Sequence, residues 1–471
     1  MKDKNNFDFS TYLSPFTWRY GSTQMREIFS EENKYKTWRK IWIALANTQS
    51  KAGLINEEEL ADLEKQQNNL DIERILEIEK ETKHDLVAAI KEFAEKAKVG
   101  GGKLHLGATS MDIVDNADAI RTGQALSLIK KKLISILNQF CELIEKYADY
   151  PTLGYTHLQA AEPTSLGYRF AFYAQDLLID LRFLKFVQDS FKSKGFKGAV
   201  GTSASYLELL AGQKVTPAKM EKEIMDELDL ESIDISSQVY PRKLDYLIFS
   251  ALASAGSSLA KFASDLRILQ SFGFGEWMEP FSKNQVGSSA MPFKRNPLNA
   301  EKICSLARYL SHLPTIALEN SIHNHLERTL DDSANKRIIL PDAFLSTDEI
   351  LDTAQKIIQG LEINENRIDY NLEQFAPFAA TEEILVEAVK NGADRQEMHE
   401  IIRVIALKAW GRIQQGKSNP MKVLLCSDKK LTKFVKVSKI VEMIKHVAVL
   451  GDAPERSKSL VKKIKLEIKS N

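Results

Sequence analysis

Residues 112–147 read DIVDNADAIRTGQALSLIKKKLISILNQFCELIEKY. Within them Leu126, Ile129, Leu133, Ile136, Phe140, Leu143 and Tyr147 follow one another at strictly alternating steps of three and four. That spacing is a heptad seam, which predicts one long helix packed side by side with others at a shallow angle. The same alternation returns between Leu244 and Leu269, at Leu252, Ala255, Leu259, Phe262, Leu266 and Leu269. Leu166 to Val187, Ala300 to His323 and Asp342 to Leu361 predict three further long helices. Pro is scarce, at 13 residues, so few helix breaks are expected. Five long helices make an elongated bundle and not a doubly wound sheet.

Shorter helices are expected on either side, with Tyr35 to Ala52 the firmest before the bundle. After Asn364 the chain ends in SKSLVKKIKLEIKS, read as a solvated helix face. The expected fold is therefore all-α in three helical domains: residues 1–111, a central long-helix bundle at 112–363, and 364–471.

Composition narrows the function. Lys+Arg and Asp+Glu are equal at 64 each in 471 residues, and hydrophobic and charged contents are 44% and 27%. A zero net charge argues against a nucleic-acid binder, which usually carries a basic excess, but leaves room for a local basic pocket. Cys141, Cys304 and Cys426 lie far apart with no ligand spacing, so neither a disulfide framework nor a zinc site is expected. His323 and His325 are two apart and face different ways on a helix, a poor metal pair. The start MKDKNNFDFS is polar and no apolar run approaches a membrane span. A cytoplasmic protein with no membrane partner is expected.

Four polar segments break the helical pattern. Gly287-Ser288-Ser289-Ala290-Met291-Pro292-Phe293-Lys294-Arg295-Asn296-Pro297 crowds two hydroxyls and two cations between Gly and Pro. A mobile loop of that kind suits a site that takes a proton from carbon and holds the resulting charge; the plain alternative is a polar surface loop. Residues 104–112, LHLGATSMD, precede the first long helix. There Thr109 and Ser110 either cap the helix or offer its free N–H groups to an anion. Residues 156–164, THLQAAEPT, put His157 at the mouth of a helix pair. Residues 327–337, ERTLDDSANKR, supply Arg328, Ser333 and Arg337, donors suited to phosphate or carboxylate or else to internal salt bridges of a charged turn.

Together, the ATSxD, THxQ and GSSxMPxKxNP blocks resemble those of the fumarase/aspartase superfamily, and within it the chain is most similar to the adenylosuccinate lyases. The likeness rests on SPFTWRYGS, KHDLVAAI, LHLGATSMDIVDN, GYTHLQAAEPTSLG, GSSAMPFKRNP and ERTLDDSANKR, spanning Ser14 to Arg337, and more weakly on ADRQEMHEIIR up to Arg403. The resemblance implies a β-elimination of fumarate from adenylosuccinate and from succinyl-aminoimidazole-carboxamide ribotide in purine synthesis, with no metal or organic cofactor. It implies Ser288 as base and His157 as the acid that protonates the departing nitrogen. Lys294 and Asn296 would hold the developing dianion, and Thr109 and Ser110 a succinyl carboxylate, with Gln238 nearby. Arg19, Tyr20, Arg328, Ser333 and Arg337 would bind phosphate and ribose, and His84 and Asp85 would line the site. Ser288 and its neighbour Ser289 remain alternatives for the base. Phe293 stands where relatives usually carry Tyr or His. Ala160 stands where they commonly have Pro, a change expected to loosen the turn that carries His157.

Helix length adds an inference that needs no family. Ser110 starts the first long helix and His157 follows its end, so at 1.5 Å per residue the two are separated by roughly 50 Å. One small-molecule site cannot span that. If both serve one reaction, different copies of the chain must supply them, most simply in a homotetramer of two-fold symmetry with shared active sites. Two other readings compete: another lyase of the superfamily, such as argininosuccinate lyase or fumarase, and a catalytically silent helical scaffold.

Overall fold

The computed structural model describes residues 9–445 and 450–470, so the first eight residues of the polar N-terminal reading lie outside the described part. The protein is built from α-helices, with two small two-stranded sheets among the described residues. The all-α expectation holds. Long helices run over Ser110–Tyr147, Leu166–Ser190, Lys243–Gln270 and Ser333–Gln359.

The seam of the Ser110–Tyr147 helix is buried at Leu126, Ile129, Leu133, Ile136, Phe140 and Tyr147. Leu143 is only half-buried, and Ile144 beside it is fully covered. A straight helix drifts by about 20° per heptad against a 3.5-residue repeat, so the covered stripe migrates to the next row. Each fully buried Leu or Phe on it contributes about 1.5–3 kcal/mol of apolar burial.

Two expected boundaries moved. The helix foreseen from Ala300 to His323 is two helices, Leu298–Leu310 and Leu313–His323. Pro314 sits in the first turn of the second, where its missing N–H and its ring would disrupt a continuous helix. The helix foreseen from Asp342 begins instead at Ser333 and runs through Pro341. The Lys-rich tail is the Ala453–Lys469 helix, with Val461 and Ile464 buried and Lys462, Lys463 and Lys465 exposed, as a solvated face requires.

The chain divides into two compact units. One comprises Met1–Leu133, Ile179–Ala260 and Lys302–Thr353. Part of its core lies around the Glu31–Lys51 helix, where Tyr35, Trp38 and Trp42 pack in turn and Trp42 reaches Phe93 with ring centroids 6.2 Å apart. The other unit comprises Ile134–Leu178, Lys261–Glu301 and Ala354–Asn471. Aromatic rings hold it together: Phe140 meets Phe262 at 5.4 Å, and Phe170 stacks on Trp277 at 4.9 Å. A further cluster in that unit includes Ile384, Met398, Met421, Leu425, Leu431 and Ile440.

The Lys243–Gln270 helix is long and apolar enough to cross a membrane by composition alone. Its apolar side, Phe249, Leu252, Leu259, Phe262 and Leu266, is instead buried in protein, as in the core helix of a globular chain.

Candidate active site

In the first unit, a cavity of about 300 Å³ is lined by His84, Asp85, Ser110, Gln238, Arg328, Ser333 and Arg337. Seven sequence-expected residues thus meet in one place. Three of them mark helix starts: Asp85 opens Asp85–Lys96, Ser110 opens Ser110–Tyr147, and Ser333 opens Ser333–Gln359. Each helix N-terminus leaves first-turn N–H groups without intrahelical partners and carries the positive end of the helix dipole. Three such ends converging with two guanidiniums make an anion receptor. Thr109 lies just outside the lining, and its N–H donates to Asp112 Oδ2 at 3.0 Å. His84 caps its own helix, Nδ1 accepting from the Val87 N–H at 3.5 Å. Asp85 Oδ2 accepts from Arg337 at 2.7 Å, which aims an otherwise exposed guanidinium.

Asp115, Asp118, Arg121, Arg242, Asp332 and Lys336 line the same cavity and join Arg328 in a charge network that the sequence reading singles out only at Arg328. Arg328 donates to Asp332 Oδ1 at 2.7 Å, and Arg242 Nε donates to Asp332 Oδ2 at 2.6 Å. Arg242 also pairs with Asp115 at 3.0 Å. Lys336 reaches Asp118 at 3.2 Å and donates to the Tyr240 hydroxyl at 2.8 Å, which in turn donates to Asp245 at 2.6 Å. Arg121 closes on Asp118 at 2.6 Å. Four acids thus face four cations, so the network balances its own charge. Burial opposes ionisation of Asp118, yet Lys336 and Arg121 override it and hold the carboxyl at about 2. Asp332 likewise stays below the usual carboxylate range, burial being outweighed by Arg242 and Arg328. Burial pushes Asp245 up and the Tyr240 hydroxyl well above its ordinary value.

A signal for this network was present in the sequence. Continued toward the N-terminus, the seam of the first long helix passes Thr122, Ala119, Asp115 and Asp112. Acids on the buried row of a helix demand partners. Asp112 finds Lys194, with both side chains fully buried, and the Tyr206 hydroxyl at 3.0 Å.

Arg19 and Tyr20 do not line the cavity. They follow the short Pro15–Trp18 helix, with the Arg19 guanidinium over the Trp18 ring at 5.5 Å. The next two residues fix the chain: the Gly21 N–H donates to Glu349 at 3.0 Å and the Ser22 N–H to Asp348 at 2.6 Å.

The second unit carries His157, Ser288, Lys294 and Asn296. The segment around His157 is no loop: Pro151–Thr156 and Gln159–Ser165 pair as an antiparallel hairpin. Thr156 faces Gln159, so His157 and Leu158 form a two-residue turn, with φ of 52° and 60°. Ala160 pairs with Tyr155, and the hairpin closes without Pro there. His157 is exposed at the tip.

Residues 287–297 form an irregular loop ahead of the Leu298–Leu310 helix. Ser288 Oγ accepts from the Ala290 N–H at 3.3 Å and the Met291 N–H at 3.1 Å. Asn296 Nδ2 donates to the Gly287 carbonyl at 2.8 Å, tying the loop ends. A Cβ at Gly287 would sit 2.1 Å from the Lys294 carbonyl, so only glycine permits that closure. Lys294 and Phe293 are exposed on the loop.

Residues 19–309 match the family model described as lyase, and residues 377–459 match that described as adenylosuccinate lyase C-terminus. The chain is 36% identical over 464 residues to the adenylosuccinate lyase of Schizosaccharomyces pombe, covering 97% of this chain and 95% of that one. Similarity to the adenylosuccinate lyase of Saccharomyces cerevisiae is 35% over the same length and coverage. That of the archaeon Pyrococcus abyssi is 36% identical over 400 residues, covering 84% of this chain and 87% of the relative. Among solved structures, a fumarate lyase from Mesorhizobium sp. BNC1 superposes with a TM-score of 0.81 at 23% identity, over 96% of this chain and 99% of that one. The 3-carboxy-cis,cis-muconate lactonizing enzyme of Pseudomonas putida gives 0.82 at 22%, over 95% and 98%. These last two likenesses concern the fold.

Proposed function

The chain belongs to the adenylosuccinate lyase family, and from that premise we propose that it cleaves adenylosuccinate to AMP and fumarate, and the succinylated aminoimidazole-carboxamide ribotide in the same way. The observation that carries the reading is the convergence of three helix N-termini with Arg328 and Arg337 on one cavity. A substrate bearing a phosphate and two carboxylates needs such a receptor.

The reaction is a β-elimination. Ser288, acting as its alkoxide, takes a proton from the succinyl methylene and becomes a neutral hydroxyl, and the C–H electron pair becomes the new C=C bond of fumarate. The bond from carbon to nitrogen breaks, and His157 delivers a proton to the departing nitrogen. Ser288 is preferred over Ser289 because two backbone N–H groups already point at its Oγ, where they stabilise the alkoxide from which it acts. Lys294 and Asn296 hold the carboxylate whose charge grows during proton removal. Ser110 and Thr109, with Gln238 nearby, hold the succinyl end. Arg328, Ser333 and Arg337 hold the phosphate, with Arg19 and Tyr20 on the nucleotide side and His84 and Asp85 along the wall. No cofactor is required.

The Ser110–Tyr147 helix is 38 residues long. Its length supports a homotetramer with active sites shared between copies. An exposed apolar row on the Leu166–Ser190 helix, Tyr168, Phe172, Ile179 and Phe186, offers a face for such packing. The three-part division at residues 111 and 363 and a cytoplasmic location belong to the same proposal. Following absorbance after adding adenylosuccinate, argininosuccinate or malate to the purified protein tests it. Turnover of adenylosuccinate alone is expected; turnover of either other substrate in its place would overturn the assignment.

A further inference from the structure

The hairpin that carries His157 ends in an unfavourable turn. A two-residue turn with φ above zero at both positions normally uses Asn and Gly, whereas here it uses His157 and Leu158. A left-handed backbone is strained for an ordinary side chain, and Leu158 is 59% exposed, so its own packing gives little back. Something below the tip must hold the strands.

That anchor is Glu276, whose side chain is fully buried. Its Oε1 accepts from the Tyr155 hydroxyl at 2.6 Å and from Asn371 Nδ2 at 2.9 Å. Its Oε2 accepts from Arg169 at 3.3 Å, and Arg169 also donates to the Leu153 carbonyl at 2.6 Å. Both bonds reach the Pro151–Thr156 strand, on either side of its register irregularity between Leu153 and Tyr155. The Tyr155 ring packs edge-on against Phe274 at 4.9 Å. The backbone of Glu276 is pinned as well, its N–H to the Leu269 carbonyl and its carbonyl to the Asn364 N–H, each at 2.9 Å. One carboxylate therefore ties the strand leading into the turn to three other segments of the same unit.

We propose that Glu276 is a positioning residue for His157. Acting through Tyr155 and Arg169, it fixes the strained tip so that the imidazole meets the departing nitrogen at one angle. This inference rests on the reading of His157 as the acid.

The test compares Glu276→Gln, Tyr155→Phe and His157→Ala for kcat, KM and thermal midpoint on adenylosuccinate. Glu276→Gln keeps the shape and the acceptor for Tyr155 but turns an N–H2 toward Arg169. Misplacement of a reacting group by about 1 Å costs roughly 10²-fold, so Glu276→Gln is expected to lose about that much in kcat with KM nearly unchanged. Tyr155→Phe, which removes one hydroxyl only, is expected to lose a smaller part of kcat in the same way. A folded Glu276→Gln with wild-type kcat, or equal losses in KM and thermal midpoint without a kcat effect, would overturn the proposal. Should Glu276→Gln not fold, wild-type kcat in Tyr155→Phe would overturn it equally. Activity retained in His157→Ala would instead remove the acid itself, a separate failure.

Discussion

Arg242 Nε lies 2.6 Å from Asp332 Oδ2, and both side chains are 1% exposed. This contact links the cavity-lining guanidinium of Arg328 to the core, because Asp332 binds Arg328 with its other oxygen. Removing one partner of a buried ion pair leaves a charge without compensation and costs about 3–5 kcal/mol. Asp332→Ala should therefore lower the free energy of urea unfolding by that order and weaken substrate binding as well. A variant as stable as wild type would show that the network carries no such load.

Stability should also fall at mildly acidic pH through His105. Burial depresses this imidazole from 6.5 to about 4, and its Nδ1 accepts from Trp42 Nε1 at 3.2 Å, a bond that protonation there would break. The unfolded chain takes up the proton first, so stability is full above pH 6.5 and is lost as pH falls toward about 4. The shift corresponds to about 3 kcal/mol. Urea midpoints measured across that window should drop, and His105→Gln should flatten the slope.

Loop closure should depend on Gly287. The methyl group of Gly287→Ala would collide with the Lys294 carbonyl, opening the loop that holds Ser288. Because the loop is largely exposed, the thermal midpoint should stay within a few degrees while kcat/KM falls about tenfold or more. Unchanged kinetics would mean that the loop need not close this way.

Shared sites should reveal themselves by complementation. Ser110→Asp places a charge that a helix N-terminus tolerates but an anionic substrate does not; His157→Ala removes the imidazole proposed as the acid. Each variant alone should be inactive. Equal mixing through unfolding and refolding should restore roughly a quarter of wild-type activity, since half the copies supply each intact segment. No recovery would place both residues in one copy's site.

The sequence exposed the parts of this protein that depend on periodicity. Leu126 to Tyr147 announced the long helix because burying one stripe leaves a repeat that can be counted. The hairpin escaped notice because Gln159–Ser165 has neither alternation nor β-branched residues in series, and its turn uses His157 and Leu158 in place of Asn and Gly. Pairing set by Glu276 from more than a hundred residues away leaves no local trace. The network around Arg242 was legible only in part: Asp115 on the apolar row signalled a buried charge, but its partner came from another helix. Arg19 and Tyr20 were picked out by resemblance, and the fold places them on the Pro15–Trp18 side and outside the cavity lining.

The most direct measurement is steady-state turnover of adenylosuccinate by the wild-type protein, Ser288→Ala and His157→Ala, with fumarate release followed by absorbance. General acid and base each contribute about 10²–10⁴-fold, so wild-type protein should release fumarate and both variants should fall by at least the lower figure. Wild-type turnover in Ser288→Ala would contradict the account.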